Sequence, residues 1–447
     1  MNSTSSPPAP GFAEALRFWT WLGFVSFGGP AGQIAIMHRE LVERRRWISE
    51  RRFLHALNYC MVLPGPEAQQ LATYIGWLMH GVRGGVAAGA LFVLPSLFIL
   101  VALSWIYVRF GSVPAVAAVL QGVKPAVVAI VLAAAWRIGS RALRHPVLWA
   151  IALAALLALS VAHVSFPLVI LGAGVVGIVA ARFVPEAFRA GGHASRGGAH
   201  AAAVLDDHTP TPEHARPNRR RLALLLVAFV LLWLLPYGAL AGVFGLASDF
   251  TRMAAFFTET AFLGFGGAYA VLPYVIDRAV GDYGWLTAVQ MIDGLALGET
   301  TPGPLIMVVA YVGFMGGWTK HPFGSAALFA SGAMGASIAT WFTFLPSFLF
   351  ILAGGPWVEA TRGDLKLAAP LTAITAAVVG VIVNLALFFA WHVFWPRGMG
   401  GPVDLAAIAI TAVASALLVT QRAGVMTVIA ASGAAGLLLW LAGYSAV

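Results

Sequence analysis

The chain has 447 residues, 60% of them hydrophobic and 10% charged, with a mean hydropathy of +0.85. Soluble domains carry roughly 25% charged residues, so this composition excludes a soluble globular protein and indicates a polytopic membrane protein. The net charge of +9 comes from 27 basic and 18 acidic residues without a basic stripe interleaved with aromatics, so it informs membrane orientation and argues against nucleic-acid binding. The opening "MNSTSSPPAPGF" lacks a charged n-region and a cleavage pattern, so no signal peptide is expected. The single cysteine, Cys60, excludes internal disulfides and a multi-thiolate metal site.

Thirteen apolar segments are predicted. They lie at 12–37, 53–80, 84–108, 114–136, 147–162, 164–184, 222–245, 251–276, 288–317, 323–353, 367–395, 402–420 and 423–445. Four are interrupted where neither Gly-Gly nor Pro belongs: "SFGGP" at 26–30, "LPGP" at 63–66, "GFGG" at 264–267 and "TPGP" at 301–304. The breaks repeat. An offset of 238 places Gly28-Gly29 on Gly266-Gly267, Trp47 on Trp285 and Pro64-Gly65-Pro66 on Pro302-Gly303-Pro304. An offset of 251 then places Pro95-Ser96 on Pro346-Ser347 and Ala126-Val127-Val128 on Ala377-Val378-Val379. Anchors at consistent spacing identify an internal duplication: a first repeat at 1–185, a cytoplasmic linker at 186–221 and, over 222–447, an extra helix followed by the second repeat. The linker, rich in Gly, Ala, Pro, His and Arg, reads as disordered or loosely structured.

Charge sets the orientation of the two halves. Residues 38–52, "HRELVERRRWISERR", hold six Arg against three acids, while their counterpart 276–290 holds one Arg and two Asp. By the positive-inside rule the first loop is cytoplasmic and its twin is not, so the repeats are inverted, with 222–245 as the additional crossing. Arg137, Arg141 and Arg144 form a second basic loop. Both basic loops lie inside only if 53–80 enters and returns through its PGP turn. Each arm is then about 18 Å long and reaches the middle of a ~30 Å core. The same reasoning makes 12–37 a hairpin, with the N-terminus inside and the C-terminus outside; the alternative is that the four segments span with proline kinks. The expected fold class is an all-α polytopic membrane protein of two inverted repeats with broken or re-entrant segments.

A helix that begins in mid-membrane presents unpaired N–H groups carrying about half a positive charge, which cradle an anion without any side chain. Two inverted pairs aim four such ends at one midplane site. Close helix packing is the alternative. Lys124 ("QGVKPAV") lies deep in 114–136, either as a counter-charge for an anion or as the partner of a buried carboxylate. Glu67 and Glu299 flank the two PGP turns and Glu259 precedes the GFGG break, which makes them candidate proton carriers or local backbone caps. Asn58, Gln69, Gln70, Thr300 and Thr301 add neutral hydrogen-bonding groups suited to an oxyanion. "GAGVVG" at 172–177 matches a dinucleotide fingerprint but sits in an apolar run, where helix packing is the expected role. No Walker motif, metal cluster or cofactor signature is present.

"FVSFGGPAGQIAIMHRELVERRRWISERRFLHAL" with "VLPGPEAQQLATYIG", then "FLGFGGAYAVLPY" with "LALGETTPGPLIM", resemble the long-chain chromate ion transporter family across nearly the whole chain. The resemblance implies a bacterial inner-membrane carrier of thirteen segments in oppositely oriented halves, which exports chromate and confers chromate resistance. It carries over Gly28, Gly29, Pro30, Pro64, Gly65, Pro66, Gly266, Gly267, Pro302, Gly303 and Pro304 as motif residues, to which the residue reading adds Lys124 and Thr301. The second half reads "GFGGA" where the first reads "SFGGP", so the two breaks are chemically unequal. Chromate and sulfate share a tetrahedral dianionic shape, so a sulfate or other oxyanion carrier is the alternative substrate reading, and a passive anion channel the alternative class. A chromate reductase requires flavin, haem or thiols, which one cysteine does not supply. The expected partners are chromate, with sulfate and protons as further candidates, and the lipid bilayer.

Overall fold

The computed structural model describes residues 7–188, 203–207, 209–361, 368–398 and 400–444. Among these the chain is helical, with one isolated bridge between Ile48 and Leu205 and no strand. The first repeat contains α1 (Phe12–Val25), α2 (Gly29–His38), α3 (Glu50–Val62), α4 (Glu67–Phe110), α5 (Pro114–Ala142), α6 (Pro146–Ser160) and α7 (Phe166–Phe183). After α8 (Arg219–Phe244) come α9 (Asp249–Leu263), α10 (Ala268–Ile276), α11 (Ala288–Thr300), α12 (Val308–Lys320) and α13 (Leu328–Thr361). The chain ends with α14 (Ala368–Phe394), α15 (Leu405–Val419) and α16 (Val425–Leu441). Every predicted apolar segment falls on helix, and the four interrupted ones each divide in two. Helices α4, α5, α7, α8, α13 and α14 are long and apolar enough to cross a membrane. The most apolar window of α8 is 0% buried by protein, leaving Val227, Leu231 and Leu235 to face lipid.

The duplication is visible in local detail. Ser49 caps α3 by accepting from the Arg52 N–H, and at the same offset Thr287 caps α11 in a reciprocal capping box with Gln290. Helices α2 and α10 each run on into a π-helical turn, Arg39–Arg44 and Asp277–Asp282. Helix α4 leaves helical conformation at His80 (φ −132°) and Gly81 (φ 64°) and folds back on itself, so that 67–79 packs against 82–110. A Cβ at Gly85 would lie 2.9 Å from Trp77 Cβ, and one at Gly89 would lie 2.3 Å from the Thr73 hydroxyl. Helices α12 and α13 repeat this hairpin, with Gly313 against Gly335 and Gly317 against Ser331. Small residues let such backbones approach closely where lipid supplies no hydrophobic drive for association. The connection between them, 321–327, is longer than the turn at His80–Gly81, and this is where the repeat offset grows.

Each of the four broken segments returns to the side from which it enters. In the first repeat Phe12 packs on His80, His38 packs on Phe53, and Arg45 pairs with Glu14 at 3.8 Å. The start and finish of 53–80 meet one strap of chain: Arg52 Nη2 donates to Thr209 O (3.1 Å), and His214 Nε2 to Trp77 O (2.8 Å). In the second repeat Trp285 Nε1 donates to Asp249 Oδ1 (3.0 Å), and a Cβ at Gly316 would touch the Trp285 ring. The second pair of hairpins opens at the opposite end of the molecule, where Phe244, Phe250 and Phe323 meet edge to face and Trp105, late in α4, meets Phe329 at the start of α13. The repeats are therefore inverted in space. Pro10 accepts from His80 Nε2 at the first end, while Tyr444 shares a cavity with Pro114 at the other, so the first and last described segments lie at opposite ends. Reporter fusions at Arg45 and Arg141 are expected on one side of the membrane and a fusion at Asp282 on the other; a split between Arg45 and Arg141 would contradict the returning hairpin.

The expectation of a loosely structured linker needs correction over its second part. Residues 189–202 lie outside the described residues. From Ala203 onward the chain docks on the first repeat: Leu205 exchanges backbone bonds with Trp47 and Ser49 at 3.0 Å, the Ser49 hydroxyl donates to Asp207 (2.6 Å), and Ala215 is buried. Its polar backbone finds partners on the open ends of α3 and α4, which composition does not reveal. Of the 172–177 glycines in α7, Gly174 and Gly177 pack against α14, Gly177 lying against Ala369 and Ala373, while Gly172 faces open space.

Candidate functional site

The four breaks meet in two crossed pairs. The Gly303 N–H donates to Ser26 O (2.8 Å), and the Gly65 N–H donates to Gly264 O (3.0 Å). The two bonds are equivalents under the duplication, so each PGP turn is closed by the glycine break of the other repeat. Gln33 Nε2 reinforces the first crossing through Gly303 O (2.5 Å) and Ser26 O (3.3 Å), and Gln70 Nε2 holds Pro64 O (2.8 Å) and Ser347 Oγ (3.4 Å) in the second. The hydroxyl of Ser96, which matches Ser347, donates to Pro302 O. Gly65 (φ +116°) and Gly303 (φ +107°) occupy backbone that L-residues avoid. A Cβ at Gly65 would lie 2.7 Å from Ser347 Oγ, and one at Gly303 would lie 1.8 Å from Ser96 Oγ. These turns require glycine.

Two sets of groups expected from sequence to face an anion are engaged within the protein. The Gly65 and Gly303 amides are engaged by carbonyls of the opposite repeat, so they lock the crossing and are not open anion donors in this conformation. The hydroxyls of Thr300 and Thr301 turn back to Leu297 O (2.9 and 2.7 Å) and close the end of α11. What remains at the crossing is a cavity of about 10 Å³ beside Gly65, Pro66, Gly267, Ile306 and Thr343. It has room for about one water, and none for a dianion. Ser26 Oγ, Thr343 Oγ1 and the side-chain oxygens of Gln33, Gln69 and Gln70 are buried without a hydrogen-bond partner. Buried polar atoms are normally satisfied, so this centre carries unused hydrogen-bonding capacity in an apolar setting.

The candidate carboxylates separate in space. Glu299 is 6% exposed at the tip of α11 and accepts from the Tyr269 hydroxyl, with Arg137 in electrostatic reach. Glu67 is half-buried as the first residue of α4. Glu259 is exposed on α9 beside Tyr274, away from the crossing. The carboxylate beside Lys124 is Asp293, none of the three acids named from sequence. Lys124 Nζ lies 4.0 Å from Asp293 Oδ1 and 3.5 Å from Gln121 Oε1. Both ends of the Lys124–Asp293 pair line a cavity of about 420 Å³ with Tyr107, Gln121 and Gln290, toward the end where the second repeat opens. The other end carries a smaller counterpart of about 120 Å³ lined by Arg51, Arg52, His55, Asp207 and Glu359. There Arg52 and Glu359 approach to 3.9 Å, and the Tyr74 hydroxyl donates to Glu359 (2.6 Å). His55 and Asp293 occupy matching positions in the two repeats.

The profile of the chromate transporter family matches residues 13–178 and 251–437, one block in each repeat. The chain belongs to the chromate transporter family. A chromate transport protein of Pseudomonas aeruginosa is 33% identical over 450 residues, covering 97% of this chain and 94% of that protein. A probable chromate transport protein of Synechococcus elongatus is 29% identical over 378 residues, covering 84% of each chain. A chromate transport protein of Cupriavidus metallidurans is 26% identical over 390 residues, covering 87% of this chain and 85% of that protein. No solved structure matches the chain significantly.

In this member of the chromate transporter family the two PGP turns meet the carbonyls that open the opposite glycine breaks, while Gly28 is exposed, Gly29 and Pro30 are half-buried, and Lys124 lines a separate cavity nearer one end. Sequence reading missed Asp293, Tyr107, Tyr269, Gln33 and the Ser96–Ser347 pair. Signals existed for two of these. Asp293 is an ionisable residue inside a predicted apolar segment, the same rule that singled out Lys124, and both serines belong to the Pro-Ser anchors of the duplication.

Proposed function

We propose that the protein exports chromate across the bacterial inner membrane and so confers chromate resistance, driven by the membrane potential with proton exchange contributing. The observation that carries this reading is the match to a chromate transport protein over 97% of the chain. The reading as a carrier and not a passive channel is supported by the bonds that close both PGP turns across the repeats and by the cavity of only about 10 Å³ beside them. By the positive-inside rule the end bearing 38–52 is cytoplasmic, together with the N-terminus, and the larger Lys124 cavity then faces outward. Potential favours export: at ~100 mV, inside negative, each elementary charge contributes ~2.3 kcal/mol, so a dianion leaves with roughly 4.6 kcal/mol of assistance.

Inside-out vesicles with potential and pH gradient imposed separately test the reading. Chromate uptake should respond to a positive interior, and a proton gradient should add to it. Absence of protein-dependent chromate uptake would remove the proposal, and stronger competition by sulfate than by chromate itself would reassign the substrate. Among the carboxylates named from sequence, Glu299 is the one buried at the crossing. Glu299→Gln is expected to retain potential-driven flux while losing acceleration by the pH gradient. Wild-type acceleration in that variant would assign Glu299 to structure.

A further inference from the structure

We propose that Asp293 and Lys124 form an exchange pair: the dianion takes Lys124 from Asp293, and the released Asp293 carboxylate takes up a proton from the cavity. This rests on the reading of the protein as a chromate carrier and names how binding is linked to protons in its larger cavity. Asp293 is 3% exposed, and its two oxygens differ. Oδ2 accepts from the Tyr107 hydroxyl at 2.9 Å, whereas Oδ1 has no hydrogen-bond partner and faces Lys124 Nζ at 4.0 Å, beyond hydrogen-bond reach. The pair is held near and left unclosed. A third oxygen ligand can approach Nζ from the cavity, where Gln121 already lies at 3.5 Å.

The groups facing Asp293 are Lys124 from α5, Tyr107 from α4 and Tyr311 from α12, whose hydroxyl donates to Gln290 O (3.0 Å). Lys124 is therefore the one cation among the described residues facing it, and the carboxylate and an incoming dianion compete for the same ammonium. A doubly charged anion at Nζ leaves Asp293 both unpaired and beside like charge, two conditions that favour its neutral form. Asp293 gains one proton from the cavity water as Lys124 turns to the anion, and release of the anion reverses both changes. By linkage, protons strengthen anion binding and anion binding draws protons. Asp293 and Glu299 lie on one helix about 9 Å apart by rise, so the proton taken at the cavity has a second carboxylate at the crossing.

The test uses purified full-length protein in detergent at mildly alkaline pH with a proton-indicator dye, titrated with chromate against a protein-free blank. Wild type should take up protons as chromate binds. Asp293→Asn should take up none and bind chromate about tenfold more tightly, because Lys124 has lost its competitor. A structural role for the pair predicts weaker binding on its loss, so weaker binding, or wild-type proton uptake in Asp293→Asn, overturns the proposal. Should Asp293→Asn fail to accumulate, Tyr107→Phe keeps the ion pair and removes the donor to Oδ2. Its chromate binding should persist to higher pH than in wild type, and an unchanged pH profile overturns the proposal. Wild type that binds chromate with no proton uptake overturns the exchange and leaves the carrier reading standing; wild type that binds no chromate removes both.

Discussion

Gly303→Ala is expected to abolish chromate transport while the protein still reaches the membrane. The added methyl would sit 1.8 Å from Ser96 Oγ, on a backbone at φ +107° that alanine avoids. Such a conformation costs roughly 1–3 kcal/mol for a residue with a Cβ, and at the upper end that depopulates the crossed state about a hundredfold. Relief of the contact alone does not suffice, so Gly303→Ala with Ser96→Gly should remain inactive. Gly65→Ala should also impair transport, because Gly65 sits at φ +116° and its Cβ would meet the ends of Ser347 and Gln70 at 2.7 and 2.8 Å. Vesicle flux normalised to membrane protein measures both. Near-normal flux in Gly303→Ala would show that transport does not pass through the crossed turns.

Lys124→Gln is expected to raise the chromate concentration for half-maximal flux by about 10–100-fold, the equivalent of losing a charge-assisted hydrogen bond of roughly 1.5–3 kcal/mol. The substitution also strands Asp293, 3% exposed, without its cation, which lowers the amount of folded protein. Combining it with Asp293→Asn separates the two effects: expression should recover while the concentration dependence stays weak. An unchanged concentration dependence in Lys124→Gln would make the residue a structural ion-pair member only. The experiment is best done at fixed potential, since the driving force on a dianion otherwise masks a shift in apparent affinity.

Class, duplication, inversion and the positions of the breaks were all legible in the sequence, because each is recorded locally. Hydropathy sets which segments are apolar, a Gly-Gly or PGP triplet interrupts a helix wherever it occurs, and the arginines of 38–52 against the near-neutral 276–290 encode orientation without reference to any contact. Which break meets which was decided only in three dimensions. The bonds from Gly303 to Ser26 and from Gly65 to Gly264 join residues far apart in the chain, and nothing near either turn distinguishes an amide open to an anion from one taken by a carbonyl. The partner of Lys124 was hidden for the same reason: Glu67 and Asp293 are both acids in apolar segments, and only the packing of α11 against α5 brings Asp293 to the ammonium. The docking of 203–207 and 209–215 likewise escapes composition, since a short polar stretch with two prolines reads as unstructured until a folded surface offers it hydrogen-bond partners. Local chemistry wrote the helices, their breaks and the inversion of the two halves; long-range closure of the inverted hairpins decided which polar groups are locked together and which are left unpaired.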